Sequence, residues 1–193
     1  MRIEFKIISK QNSVILALVL FVGCSLLSVD QSDLENQARG ITRQFTAALL
    51  PTLQEALAEG GPVEAIEVCS IRAPEIAAEL AAATSWSVRR VSLRARNSEK
   101  AIPDHWERRT LEQFEDQQRG GAMGNELNQS AVFDGEFRYM QAQLAMPVCL
   151  TCHGTDLHED VSSALHKYYP DDLAVGYAQG DVRGAISLRY PID

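Results

Sequence analysis

The chain has 193 residues, 46% of them apolar, and a formal net charge of −8. That length suits one domain, and that apolar share supplies a core rather than a disordered tail. The acidic balance repels nucleic acid and sets a role in binding it aside.

The chain opens on a leader. Arg2, Lys6 and Lys10 form a basic start, and residues 14–22 (VILALVLFV) form an apolar run too short to span a membrane comfortably as a mature helix. Gly23-Cys24 follows, a small residue before a thiol as in a bacterial lipobox, with Phe21 where a Leu is usual. Residues 1–23 are therefore expected to be a lipoprotein-type signal peptide, Cys24 the lipidated residue, 24–33 a tether and 34–193 the folded domain. An uncleaved anchor helix and an ordinary secretory signal are the competing readings, and all three export the domain. Ser25 is not the Asp that favours inner-membrane retention. The expected location is therefore periplasm-facing, held to the outer membrane by lipid.

Leu34, Ala38, Ile41, Phe45, Ala48 and Leu49 recur three or four residues apart, which predicts a helix over 31–58. Pro51 lies inside it, and Gly60-Gly61 ends it. Pro62 suits the first turn of a second helix, with Val63, Ile66, Cys69, Ala73, Ile76 and Leu80 on one face. Pro74-Glu75 reads as an interruption and a fresh helix start. Cys69 thus falls near a helix end or kink, in apolar surroundings.

Residues 86–96 alternate as in a strand, placing Arg90, Arg94 and Arg96 on one face. A loop over 97–104 leads to a helix over 104–118, with Trp106, Thr110, Leu111 and Phe114 inward and Gly120-Gly121 as its stop. Segments 130–133 and 136–145 form a hairpin around Asp134-Gly135. Residues 161–168 suit a short helix and 184–190 a final strand. Long N-terminal helices followed by a mostly antiparallel sheet with helical insertions is an α+β arrangement.

Between hairpin and short helix stands Cys149-Leu150-Thr151-Cys152-His153. Two thiols three positions apart can reach the two vinyl groups on one porphyrin edge, and the following His lies beneath the iron; this is the pattern of covalent c-type haem attachment. Gly154 allows a tight exit. A thioredoxin-like redox pair does not need the His. A zinc site would need two further ligands, and His158 and His166 are not spaced as in a common finger. One motif predicts one haem c, held by Cys149 and Cys152 with His153 as proximal iron ligand.

Four cysteines are present: 24, 69, 149 and 152. With three assigned, Cys69 is the odd thiol in an exported chain and asks for an explanation. For the sixth iron position His105, His158, His166, Met140 and Met146 are alternatives to it, and His or Met is the usual choice. Arg90, Arg94 and Arg96, on one predicted strand face, are candidate contacts for a haem propionate or simply a solvated face. Trp106 and Phe137 could line the pocket or belong to the core.

Several segments together resemble the PAS-like c-type haem domain family: Ala65-Ile66-Glu67-Val68-Cys69, Arg94-Ala95-Arg96-Asn97, Pro103-Asp104-His105-Trp106-Glu107, the CLTCHG motif, Tyr169-Pro170-Asp171-Asp172, Gly176-Tyr177 and Gly180-Asp181-Val182-Arg183-Gly184-Ala185. The resemblance implies a PAS-like antiparallel sheet carrying long N-terminal helices. It also implies an axial pair of His153 and Cys69, and it makes Arg96, which lies in one of these segments, the first choice for a propionate contact. A thiolate donor favours ferric iron, so a low potential follows. Two roles fit: low-potential electron transfer or redox response with a separate redox partner protein, or a haem-based redox or gas sensor working through a signalling partner. No second cofactor motif and no acid–base pair accompanies the haem motif, so enzymatic activity is not expected.

Overall fold

The computed structural model describes residues 30–192. The expected leader, Cys24 and Asp193 lie outside the described residues.

Helix α1 (Gln31–Glu59) begins on Asp30, whose carboxylate accepts the Ser32 N–H at 2.9 Å. Residues 31–33, grouped above with the tether, form its first turn. Its inward face is Leu34, Ala38, Ile41 and Phe45. At Gly60-Gly61 the chain reverses, and Gly61 takes a left-handed φ of 72°.

Helix α2 (Gly61–Thr84) then packs back along α1. It runs unbroken through Pro74, so the expected restart there is not formed. A proline inside a helix costs about 3 kcal/mol in lost bonding and ring clash. Here α2 buries Ala65 and Ile66 before the proline and Ala73 and Ile76 around it, and this packing holds the helix together. The carbonyl of Ser70 is left without its usual N–H partner, because Pro74 has none.

Four strands form one antiparallel sheet in the order β1-β4-β3-β2. They are β1 (Ser87–Val91), β2 (Asn128–Phe133), β3 (Glu136–Leu144) and β4 (Val182–Pro191). The β2–β3 hairpin turns on Asp134 and Gly135 with φ of 54° and 72°, the paired left-handed conformation of a type I′ turn. Strand β1 stops earlier than its alternation predicts. Beyond the Val91–Ala185 pair, the Ser92 N–H donates to the Ala101 carbonyl instead, and the chain leaves the sheet.

Helices α1 and α2 cover one sheet face, where Phe45, Trp86, Phe137, Tyr139, Ile186 and Leu188 are buried. Helix α3 (His105–Arg119) covers the other, over Leu111, Phe114, Met140 and Ala185. A capping box starts α3: Asp104 accepts the Glu107 N–H at 2.9 Å, and Glu107 accepts the Asp104 N–H at 2.8 Å. The fully buried Glu107 also accepts from Ser187 and faces Arg138 and Arg189, which joins the helix start to the sheet. Two short helices, α4 (Leu150–His153) and α5 (Glu159–Tyr168), pack against α2. The architecture is α+β, as the order of elements predicts.

Candidate functional site

After β3 the chain makes a 3₁₀ turn (Pro147–Cys149) and passes directly into α4. On one helical turn, positions three apart share a face. Cys149 and Cys152 accordingly line one cavity, with His153 beside them. The cavity measures about 690 Å³, lies between the α1–α2 pair and the β1–β4 edge, and has mainly apolar walls. That is within the range of about 300–1,000 Å³ typical of small-molecule and cofactor pockets.

His153 is held by its neighbours. Its Nδ1 lies 2.6 Å from the Ala174 carbonyl, which can only accept, so Nδ1 carries the proton and Nε2 keeps its lone pair. Burial, followed by the positive charges of Arg183 and Arg96, pushes the imidazole far below its ordinary pKa and keeps it neutral. Arg183 Nε is 3.0 Å from the same Nδ1. With that N–H already committed, this is a packing contact that further disfavours protonation. The backbone closes the clamp: the Tyr177 N–H donates to the His153 carbonyl at 2.9 Å, and the Gly176 N–H to the Gly154 carbonyl at 2.8 Å. Gly154 is required by proximity, since a Cβ there would meet the Leu150 carbonyl oxygen at 2.6 Å.

Cys69, carried by α2 and separated from the motif in sequence by β1, α3 and the β2–β3 hairpin, lines the same cavity. Cys69, Cys149 and Cys152 are all free thiols. Burial pushes the Cys69 thiol up, opposed by Arg90 and Arg96. Among the alternatives for a second axial donor, Met146 also lines the cavity. Met140 is fully buried under α3, and His105, His158 and His166 are exposed and do not line it. Trp106 and Phe137 belong to the core, on opposite faces of the sheet.

Of the three arginines expected together, Arg90 and Arg96 reach the cavity. Arg94 lies beyond the end of β1, stacks 3.6 Å over the Tyr177 ring and donates to the Val175 carbonyl. Arg96 is held by Asp172 through Nε at 3.2 Å, and by the Cys152 and Ala174 carbonyls. Asp172 in turn accepts the Ala174 N–H at 2.8 Å, which aims the Ala174 carbonyl at His153. The roles of Asp172, the Ala174 carbonyl and Arg183 were not read from the sequence. The one available signal was Arg183-Gly184, a charge beside a glycine at the start of an apolar strand.

The residues fit the haem expected from the motif. Two thiols on one face, a neutral imidazole with a free Nε2, a third thiol on the same wall and an apolar cavity bordered by guanidiniums match a planar, largely apolar macrocycle with carboxylate arms. Among the described residues no group of three or more His, Cys, Asp or Glu side chains is arranged to hold a bare metal ion.

Residues 28–191 match the family model described as Tll0287-like. No curated protein matches the chain. Among solved structures, the crystal structure of the cyanobacterial heme-protein Tll0287 is similar, with a TM-score of 0.58 and 23% identity over 83% of this chain and 94% of that one. At that identity the likeness is one of fold.

Proposed function

The chain belongs to the Tll0287-like family, and from this premise we propose that it carries one covalently attached c-type haem in the α1–α2 cavity and serves low-potential electron transfer or redox response. The observation that carries the reading is the convergence of Cys149, Cys152, His153 and Cys69 on that cavity. The solved relative, described as a heme-protein, supports it.

In this reading Cys149 and Cys152 form the thioethers. His153 offers Nε2, its orientation fixed by Nδ1–H and the Ala174 carbonyl. Cys69 supplies a thiolate from the α2 side. When bound, the haem supplies one-electron chemistry between ferric and ferrous iron, with an anionic sulfur ligand favouring the ferric form. The surrounding aliphatic side chains exclude water, and Arg96 braces the peptide that carries Cys152. Residues 1–24 are read as the export signal and lipid attachment point, giving a periplasm-facing lipoprotein that exchanges electrons with a separate protein.

A sensor role is the second reading. It draws on Pro74, which removes a helical hydrogen bond at Ser70, next to Cys69. Loss of that bond makes the ligand-bearing turn easier to displace.

The test is maturation with a haem-attachment system. Haem that stays with the denatured chain, together with a changed spectrum and a raised midpoint potential in Cys69→Ala, supports the assignment. Haem lost on denaturation refutes it. Stopped-flow reduction separates the two roles: ligation intact in the ferrous state favours a carrier, and loss of Cys69 followed by carbon monoxide binding favours a sensor. Fatty-acid labelling of wild type but not Cys24→Ala checks the anchor.

A further inference from the structure

Four arginines line the cavity, and they are not equivalent: Arg89 donates to the Ile102 carbonyl at 2.5 Å in an exposed contact, whereas Arg90, Arg96 and Arg183 are the more enclosed three. Arg96 is matched by Asp172 at 3.1 Å. Arg90 and Arg183 form no ion pair with a carboxylate among the described residues. Each is instead anchored through one nitrogen by a neutral group. Arg90 Nε donates to Gln143 at 3.2 Å, and its guanidinium lies 6.0 Å over the Phe45 ring. One terminal nitrogen of Arg183 donates to the Ser92 hydroxyl at 3.2 Å. The other terminal nitrogens of Arg90, and the second of Arg183, have no protein partner among the described residues.

The backbone goes out of its way to place Arg183. Gln143 pairs with Gly184 and Leu144 with Val182, so Arg183 is the extra residue of a β-bulge. Bulges re-aim side chains beside functional sites. This one brings the guanidinium against His153 and into the cavity wall. Gly184 permits it, since a Cβ there would meet the Val91 carbonyl oxygen at 2.5 Å. Burial lowers the Arg90 pKa, and burial together with Arg90 brings that of Arg183 down to about 10. Buried charges are retained when an anion pairs with them. Arg89 and Lys100 reach the cavity from its exposed rim, and once Arg96 and Asp172 cancel, Arg90 and Arg183 are the enclosed guanidiniums left unmatched beside a mainly apolar space.

We infer that Arg90 and Arg183 hold the two propionate carboxylates of the haem inside the protein, and that Arg96 is a strut for the Cys152 peptide rather than a propionate contact. This rests on the haem reading above. The count supports it: haem has two carboxylates, while a Cys69 thiolate is matched by the single positive charge of the ferric macrocycle. The fork of a guanidinium, free at its terminal nitrogens, is suited to a carboxylate. Arg90 has both terminal nitrogens free and Arg183 has one; Arg96 has its charge already matched by Asp172, and its Nε and one terminal nitrogen are held by that carboxylate and by two carbonyls.

The test uses covalently matured full-length protein whose haem is carbon-13 labelled at the propionate carboxyls, read by infrared difference spectroscopy at pH 7. Arg90→Gln and Arg183→Gln should each shift labelled carboxylate bands, Arg90→Lys should shift them less than Arg90→Gln, and Arg96→Gln should leave them in place. Labelled bands that superimpose in wild type, Arg90→Gln and Arg183→Gln overturn the inference, as do bands moved by Arg96→Gln alone. A crystal structure of the haem-loaded wild type decides the matter without any variant. Propionate oxygens within hydrogen-bond distance of Arg90 and Arg183 support the inference, and propionates in solvent or on Arg96 refute it. Wild type that fails to acquire covalent haem is a different result, which overturns the haem reading and this inference with it.

Discussion

Arg96, on the loop that follows β1, sits 3.1 Å from the carboxylate of Asp172, and the two side chains are only 13% and 8% exposed. The pair joins the loop to the segment that clamps His153. Asp172→Asn leaves the Arg96 charge without a counterion in a largely buried place, which typically costs 3–5 kcal/mol when one partner of a buried pair is removed. The expected loss is about 3 kcal/mol, read as a lower urea midpoint with an unchanged slope. Replacing both residues by apolar ones should cost less than the single change, and a double-mutant cycle measures the difference.

Gly184 is the second position where a single atom decides the site. A Cβ there would approach the Val91 carbonyl oxygen at 2.5 Å and Ser92 Cβ at 3.2 Å, with φ at 156°. A carbonyl oxygen and a Cβ are both fixed to the backbone and cannot rotate away. Gly184→Ala should therefore destabilise by about 2 kcal/mol through strain and displaced backbone. It should also unseat Arg183. The expected signature is a lowered melting temperature together with an altered His153 ring resonance, visible in the nuclear magnetic resonance spectrum of the haem-free protein. A stability loss with no change at His153 would mean that the bulge does not govern the site.

What the sequence disclosed divides by the range of the interactions involved. Asp134-Gly135 and the spacing of Trp106, Thr110, Leu111 and Phe114 are local signals, and the hairpin and α3 lie where those signals put them. Cys149, Cys152 and His153 are also local, since a single turn of helix brings the thiols to one face. The break that Pro74 predicts does not form, because its local cost is outweighed by the packing of α2 on α1, which no window of sequence contains. Strand β1 ends before its alternation does for a similar reason, because Ser92 bonds to Ala101 and reaches Arg183, far along the chain. The Ala174 carbonyl that orients His153 has no side-chain signature at all. Cys69 drew attention as an odd thiol, but only the fold of α2 over β1 puts it on the same cavity as the attachment motif.

Acid sensitivity should arise on the far side of the sheet from the cavity. Burial raises the Asp104 pKa, but the Glu107 N–H bond and the charges of Arg138 and Arg189 outweigh it and hold the carboxyl below its ordinary range. A carboxyl whose folded pKa is depressed contributes stability that is complete above its unfolded value, near 3.9, and is lost as pH falls through the folded one. Asp104 is 37% exposed, so screening keeps the contribution to about 1 kcal/mol. Asp104→Asn should thus be about 1 kcal/mol less stable than wild type at pH 7, with the gap closing below about pH 4. Urea titrations at a series of pH values check both the gap and the direction of its closure.

Pro74 gives a prediction of opposite sign. It sits inside α2 one turn beyond Ser70, whose carbonyl it deprives of an N–H, and both residues line the cavity with Cys69. Pro74→Ala restores the donor and removes the ring clash, so α2 should gain stability. The full interior penalty is about 3 kcal/mol, and part of it has already been relaxed by the packing around Ala73 and Ile76, so a gain of about 1–2 kcal/mol is expected. The same change stiffens the turn that carries Cys69. Thiol labelling of Cys69 in the haem-free protein should slow relative to wild type, because labelling of a half-buried thiol requires the helix to open locally. Greater stability with slower labelling would identify the proline as a retained weak point beside the cavity. A variant less stable than wild type would show instead that α2 depends on the bend the proline imposes.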